Sequence, residues 1–382
     1  MKVKKVEQEE RYFDRTYAVV DLEKIRHNIK EEKKILKPGT KIMAIVKADA
    51  YGHGAIPVSR ALYDLVDGYG VATVHEAMEL REAGIDNMIL ILGYTSPNWY
   101  PEIIRYGISQ TVYTKDMADG LNKEGMCQGK RALIHVKLDT GMGRIGFLPT
   151  KESFSVIEDI AALPYIEIEG LFTHFARADE GGDAAARKPF EAYQKFSGWL
   201  KDAGIDTGIH HVSNSAALID FREANLDMVR SGITTYGLYP SEKVSKRIRL
   251  QPAMQWKSRI SYLKTVPKGF PIGYGGTYTA PEDILVATVP VGYADGMKRA
   301  LSNRGRVLVR GEYADIVGRI CMDQFMIDVT SVAGVRDGDE VTIFGEDGKR
   351  TLPVEEIADA SYSFNYEFVC SVSNRVPRKY VP

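Results

Sequence analysis

Cysteine is scarce: three residues, Cys127, Cys321 and Cys370, in a chain of 382. They are odd in number, far apart and form no CxxC pair, which excludes a disulfide framework and a cysteine-built zinc site. That usage fits a reducing, cytoplasmic setting. No run of about 18 apolar residues occurs, so no membrane span is expected. The opening stretch, MKVKKVEQEERYFDRTY, starts basic but has no apolar core behind it, unlike a secretory signal. Net charge is nearly absent too, at a formal -1. Lys30, Lys33, Lys34 and Lys37 are interrupted by Glu31 and Glu32, which reads as a solvated helix face and not as a nucleic-acid footprint. There is no GxGxxG opening a helix and no GxxxxGK[ST], so dinucleotide and P-loop sites are disfavoured. The histidines are scattered, and His210 and His211 as strand neighbours would point to opposite faces. No metal site is expected.

What is present is an ordinary globular composition, 44% hydrophobic and 26% charged. The length implies two domains. In the first part, short apolar runs alternate with amphipathic stretches. Strands are expected at 42–46, 70–72, 88–92, 111–113, 133–138, 166–172 and 210–212, with a further short run at 226–229. Helices are expected at 21–37, 56–66, 75–83, 151–162, 184–203 and 215–221. Strands apolar on both faces, separated by helices, argue for a parallel α/β fold. A doubly wound sheet and a (β/α)8 barrel both fit; about eight units in roughly 240 residues favours the barrel. After Pro240 the pattern changes to short β-branched runs divided by turn signals, such as 284–291, 306–309, 325–329 and 340–344. The expected organisation is a barrel over 1–245 and a mainly β domain over 246–382.

A barrel places function at the C-terminal ends of its strands. After 42–46 come Lys47, Asp49, Tyr51, Gly52, His53 and Gly54. DTGMGRIG, containing Arg144, follows 133–138. His174 follows 166–172, Ser215 follows 210–212, and Arg230 to Ile233 follow 226–229. Each alone has a plain reading. Lys47 could be solvated, His174 structural, Arg230 an ion-pair partner, and Ser215 the N-cap of the next helix. The glycines of DTGMGR could serve only to permit positive φ. Together they put a lysine, a histidine and two arginines on one rim beside glycine amides and helix starts. That collection suits an anionic ligand bearing a phosphate.

These residues lie in segments that resemble the alanine racemases. AIVKADAYGHGA is similar to their cofactor-lysine segment. KLDTGMGRIG, THFARADE, SNSAA, VRSGITTYG, GYGGTYTA, PVGYADG and GRICMDQ resemble further segments in the same order, from about Tyr17 to the end of the chain. One departure is Asp49, where the family commonly has Asn. The resemblance implies a (β/α)8 barrel followed by a β domain, pyridoxal 5'-phosphate as cofactor, and a homodimer with shared active sites. It implies interconversion of L- and D-alanine, which supplies D-alanine for peptidoglycan.

By that resemblance Lys47 carries the cofactor and acts as one base, on D-alanine. Tyr274, reaching in from the partner subunit, is the opposed base, acting on L-alanine. Arg230 is the partner of the pyridine nitrogen, supported by His174. Arg144 meets the cofactor phenolic oxygen and the substrate carboxylate. Lys137 matches the lysine that is carbamylated in some members and steadies that arginine. Tyr51, Ser215, Gly232, Ile233 and Tyr366 hold the phosphate. Met322 offers a backbone amide to the substrate carboxylate. Tyr293 and Asp323 line the substrate entrance. Without the resemblance, Tyr274 is just an aromatic in a glycine-rich hairpin. A racemase of the same fold acting on serine, lysine or many amino acids stays open. A non-catalytic pyridoxal-phosphate carrier and a related decarboxylase are disfavoured. The carrier lacks the β domain, and the decarboxylase favours a carboxylate where Arg230 stands.

Overall fold

The computed structural model describes residues 14–382; the basic start, Met1 to Phe13, lies outside the described residues. The chain divides into two compact units. One comprises Glu23–Ala50 and Ala55–Gln251. The other comprises the described residues up to Leu22, Tyr51–Gly54 and Pro252–Pro382.

The first strand, β1 (Thr16–Asp21), belongs to the second of these units. Eight strands then build the first: β2 (Lys41–Ile45), β3 (Gly68–Val71), β4 (Met88–Ile91), β5 (Ser109–Val112), β6 (Ala132–Lys137), β7 (Ile166–Phe172), β8 (Ile209–His211) and β9 (Met228–Ser231). All neighbours in the order β8-β7-β6-β5-β4-β3-β2-β9 are parallel. The Asp227 amide donates to the His210 carbonyl at 3.1 Å and the Arg230 amide to the Ser213 carbonyl at 3.0 Å. These two bonds join β8 to β9 and close the ring, so the fold is the expected (β/α)8 barrel. β3, β4 and β5 are buried almost throughout, as strands covered on both faces must be. Inside the ring space is tight: a Cβ on Gly70 would sit 2.5 Å from Ile45 Cδ1.

Helices Ala55–Leu62, Val74–Glu82, Tyr100–Tyr106, Lys115–Gln128, Lys151–Ala161, Ala184–Asp202 and Ser215–Asp220 follow the strands in turn. Thr73, Thr114, Thr150 and Asn214 cap four of them through side-chain oxygens. Helix Leu22–Ile35 completes the outer layer beside β9; Asn28 Nδ2 donates to the carbonyls of Thr235 (3.2 Å) and Gln251 (2.9 Å).

In the other unit, β10 (Met254–Arg259), β11 (Tyr262–Val266), β12 (Pro271–Ile272), β13 (Tyr278–Thr279), β14 (Ile284–Val289), β15 (Arg306–Val309), β16 (Glu312–Asp315), β17 (Phe325–Asp328), β18 (Glu340–Asp347), β19 (Arg350–Leu352) and β20 (Arg378–Val381) dominate. One sheet runs β16-β15-β18-β10-β1-β20, a second β11-β14-β17, and β12 and β13 form a hairpin. β1 is antiparallel to β10, Thr16 opposite Ser258, and parallel to β20. Trp256 Nε1 donates to Thr16 Oγ1 at 2.9 Å, which ties that pairing into the core. Val266, Ile272, Ala280, Ile284, Val286 and Val317 form a cluster under the second sheet. Among the described residues no helix is long and apolar enough to cross a membrane.

Candidate active site

Lys47 follows β2 and opens an unusual turn. Ala48, Asp49, Ala50 and Tyr51 all have left-handed backbone, with φ of 52°, 51°, 52° and 54°. For L-residues this costs about 1–2 kcal/mol each. Hydrogen bonds over-determine the turn. The Ala50 amide donates to the Val46 carbonyl at 2.8 Å. The Ala48 amide donates to Glu76 Oε1 at 2.7 Å, and the Ala55 amide to Asp49 Oδ1 at 2.7 Å. Glu76 Oε2 also takes the amides of Ala72 (2.7 Å) and Thr73 (3.1 Å). Asp49 thus works as an acceptor, a task an Asn oxygen also performs.

At the end of β6, Lys137 is buried. Burial, with Arg144 and Arg230 nearby, pulls its pKa down to about 8. Asp139 then takes four amides: Gly141 (3.0 Å), Met142 (2.9 Å) and Gly143 (3.0 Å) on Oδ1, and Arg144 (2.9 Å) on Oδ2. Burial raises its pKa, but these amides outweigh it and keep the carboxyl ionised more readily than usual. This anion shapes the loop that presents the exposed Arg144. The loop glycines are needed in addition; Gly141, Gly143 and Gly146 all have positive φ.

Arg230, at the end of β9, is buried and is no ordinary ion-pair residue. Its Nη1 donates to His211 Nδ1 and to the His211 carbonyl, both at 2.8 Å. Its Nη2 donates to the carbonyls of Thr173 (2.8 Å) and Val212 (3.1 Å) and to His174 Nδ1 at 3.2 Å. Burial first, then Tyr193 and Arg144, leave its pKa at about 10, so it stays protonated at neutral pH. Its donation fixes tautomers along a chain across the barrel interior. His211 accepts on Nδ1, so its proton is on Nε2, which faces His135 Nδ1 at 2.8 Å. His135 Nε2 then donates to Glu169 Oε2 at 3.1 Å, and Ser109 Oγ donates to the same oxygen at 2.5 Å. His210 points the other way, to Tyr193 and Thr207, as strand alternation requires. Neither His135 nor Glu169 stands out in the sequence, and His211 is notable there only as the strand neighbour of His210. The available signal was a polar side chain recurring in otherwise apolar strands.

Ser215 is not the N-cap of its helix; Asn214 is, accepting the Ala217 amide at 3.1 Å. Ser215 Oγ instead accepts the Gly232 amide at 2.8 Å and the Thr234 hydroxyl at 3.0 Å. Both its lone pairs are then used, so its own proton is left to donate. Ile233 starts a short 3-10 turn here.

Lys47, Lys137, Arg144 and Arg230 all act on one group, His174. Burial and then these cations push its pKa well below the usual histidine value. The strand ends therefore form a cationic rim holding a neutral imidazole, and the donor set fits a ligand with a phosphate and a carboxylate.

The second unit holds the remaining residues in two places. The rings of Tyr51 and Tyr366 lie 6.1 Å apart, and burial pushes the Tyr51 phenol up. Tyr274, exposed, lies between β12 and β13 on a groove of about 560 Å³ shared with Cys321 and Gln324. The Tyr293 and Ala294 amides donate to the carbonyls of Cys321 (3.1 Å) and Met322 (3.0 Å), which draws Tyr293, Met322 and Asp323 to the same region. Asp323 pairs with Arg375 at 2.7 Å.

Residues 20–240 match the family described as alanine racemase, N-terminal domain, and residues 253–380 match alanine racemase, C-terminal domain. The alanine racemase of Desulforamulus reducens is 47% identical over 96% of this chain and 98% of its own length. That of Methanococcus maripaludis is 46% identical with the same coverage. Among solved structures, the alanine racemase of Clostridium difficile 630 superposes with a TM-score of 0.92 at 44% identity, covering 96% of this chain and 95% of that one. The alanine racemase of Bacillus anthracis, solved with bound L-Ala-P, gives 0.91 at 36% identity, covering 97% and 95%. With both family domains matched in order and relatives this similar along nearly its whole length, the chain belongs to the alanine racemase family.

Proposed function

We propose that the protein interconverts L- and D-alanine with pyridoxal 5'-phosphate carried on Lys47. In this reading it is a homodimer, and each active site takes the partner subunit's Tyr274. The observation that carries it is the cationic rim: Arg230 bonds His174 at 3.2 Å, Arg144, Lys137 and Lys47 add to the positive field that pushes the His174 pKa down, and Asp139 is committed to four amides. The barrel, expected over 1–245, holds the cofactor. The β-rich part, expected over 246–382, supplies Tyr274, Met322, Tyr293, Asp323 and Tyr366. The reducing, cytoplasmic setting expected from the sparse cysteines belongs to the same reading.

Bound there, pyridoxal phosphate supplies an electron-withdrawing ring that makes the substrate Cα proton removable. Racemisation needs a proton taken from one face of Cα and another returned to the opposite face. Lys47 takes it from D-alanine and returns it when the reaction runs the other way; the partner subunit's Tyr274 does the same for L-alanine. The hydrogen bonds of the left-handed turn fix where the Lys47 amine starts. Arg230, protonated and locked by carbonyls and imidazoles, donates to the ring nitrogen. That donation would leave no proton on the ring nitrogen, so the cofactor would withdraw electrons less strongly and side reactions would be suppressed. Arg144 and the Met322 amide orient the substrate carboxylate. Ser215 and the Gly232 and Ile233 amides take the phosphate, with Tyr51 and Tyr366. Lys137, with its pKa near 8, has enough neutral amine to add carbon dioxide, and its carbamate would counter Arg144. Tyr293 and Asp323 flank the entrance.

The test is turnover of L-alanine, L-serine and L-lysine, with and without added pyridoxal phosphate. Alanine is expected to be fastest and cofactor-dependent. Inactivity on alanine overturns the reading.

A further inference from the structure

Glu32, on the inner side of helix Leu22–Ile35, is fully buried. Its Oε1 accepts the Ser231 hydroxyl at 2.7 Å, while Oε2 is buried with no hydrogen-bond partner among the described residues. Ser231 Oγ shares a hydrogen bond with Thr235 Oγ1 at 2.6 Å. Thr234 donates its hydroxyl to Ser215 Oγ, and that oxygen accepts the Gly232 amide. One helical turn before Glu32, Asn28 holds the Thr235 carbonyl. Hydrogen bonds thus tie Glu32 through Ser231 to the loop that presents Gly232 and Ile233, and Ser215 braces the same loop through the Gly232 amide and the Thr234 hydroxyl.

A carboxylate behind an anion-binding loop opposes the anion; a neutral acid does not. We propose that Glu32 is a positioning residue that supports the loop 231–236 as the neutral acid, and that its ionisation weakens phosphate binding. The inference rests on the reading that this loop takes the cofactor phosphate. Burial raises the Glu32 pKa to about 7, against a smaller pull from the Thr234 and Ser231 hydroxyls, and no charged side chain among the described residues contributes. On its own helix, Glu31 turns away to Lys34 and the Arg249 amide. From the loop side it meets Ser231, Thr234 and Thr235; Tyr236, the titratable residue there, donates its hydroxyl to the Ile45 carbonyl at 2.7 Å. Glu32 is therefore neutral below neutrality and charged above it.

The experiment is a titration of pyridoxal phosphate into cofactor-stripped protein from about pH 6 to about pH 9, for wild type and Glu32→Gln, with pyridoxal as the phosphate-free probe. Wild-type affinity relative to Glu32→Gln is expected to fall about tenfold across that range for pyridoxal phosphate and to stay flat for pyridoxal. A flat ratio for both probes, or an equal fall for both, overturns the proposal. Should the variant not fold, the wild-type preference for pyridoxal phosphate over pyridoxal carries the test. It must fall through neutral pH, whereas the phosphate's own second ionisation, near pH 6, can only raise it. Failure to bind pyridoxal phosphate at any pH overturns the functional reading and this inference with it. Normal binding with a flat ratio overturns this inference alone.

Discussion

Arg230 shows how much one side chain can determine. Its guanidinium is buried among three carbonyls and two imidazoles. Removing those donors strands several acceptors, each worth about 1–3 kcal/mol. Arg230→Lys is therefore expected to lower stability by about 3 kcal/mol or more, read as a fall in the midpoint of denaturant unfolding. Arg230→Glu would place a proton on the ring nitrogen, and side products such as pyruvate are expected to rise per racemisation event. Faster racemisation without side products would contradict the role given to Arg230. Tyr274 makes a different prediction, because its ring is exposed in the chain and little packing depends on it. Tyr274→Phe is expected to keep its fold and to lose Cα hydrogen exchange on L-alanine far more than on D-alanine. Equal losses, followed by exchange in deuterated water, would contradict two opposed bases.

Among the elements, the left-handed turn after β2 depends on a neighbouring helix. Glu76 caps that helix and reaches the Ala48 amide as well. Glu76→Ala leaves three amides without their carboxylate and is expected to cost about 2–3 kcal/mol, with a drop in kcat as Lys47 loses its fixed origin. Glu76→Gln keeps an acceptor and should recover much of both. Helix Leu22–Ile35 carries a pH effect. The native Glu32 pKa, about 7, lies above the ordinary glutamate value of about 4.5. Stability from this group is thus complete below about pH 4.5 and is lost as pH rises to about 7, by about 3 kcal/mol in all. Relative to wild type, Glu32→Gln should gain in Tm over that interval and hold the gain above it. The sequence shows some elements plainly and hides others for physical reasons. Helix Lys115–Gln128 escapes a periodicity reading because Gly120 and Gly125 weaken it. Both are demanded by packing: a Cβ would lie 2.7 Å from the Tyr100 ring and 2.6 Å from the Lys130 carbonyl. The left-handed turn carries no glycine over Ala48–Tyr51, so nothing in ADAY announces it.

Across the whole molecule, the barrel is legible because most of its strands are short buried runs and each is followed along the chain by a helix before the next strand. β1 is not, since its partners, β10 and β20, lie hundreds of residues away and leave no local mark. The rim residues are legible because a barrel collects its strand ends on one face. The chain from Arg230 through His211 and His135 to Glu169 is hidden because it joins four strands, β9, β8, β6 and β7, by side chains. The proposed sharing of active sites between subunits makes a prediction that no single chain can satisfy. Lys47→Ala and Tyr274→Phe are each expected to be nearly inactive. After mixing and reassembly, a hybrid dimer regains one intact site of two, so activity should return to about a quarter of wild type. No recovery would place both bases in one subunit. The most direct test concerns Lys47 itself: borohydride reduction of the protein with pyridoxal phosphate, followed by peptide mapping. A stable label on Lys47 is the expected result. A label on another lysine, or none, would contradict the assignment on which the mechanism stands.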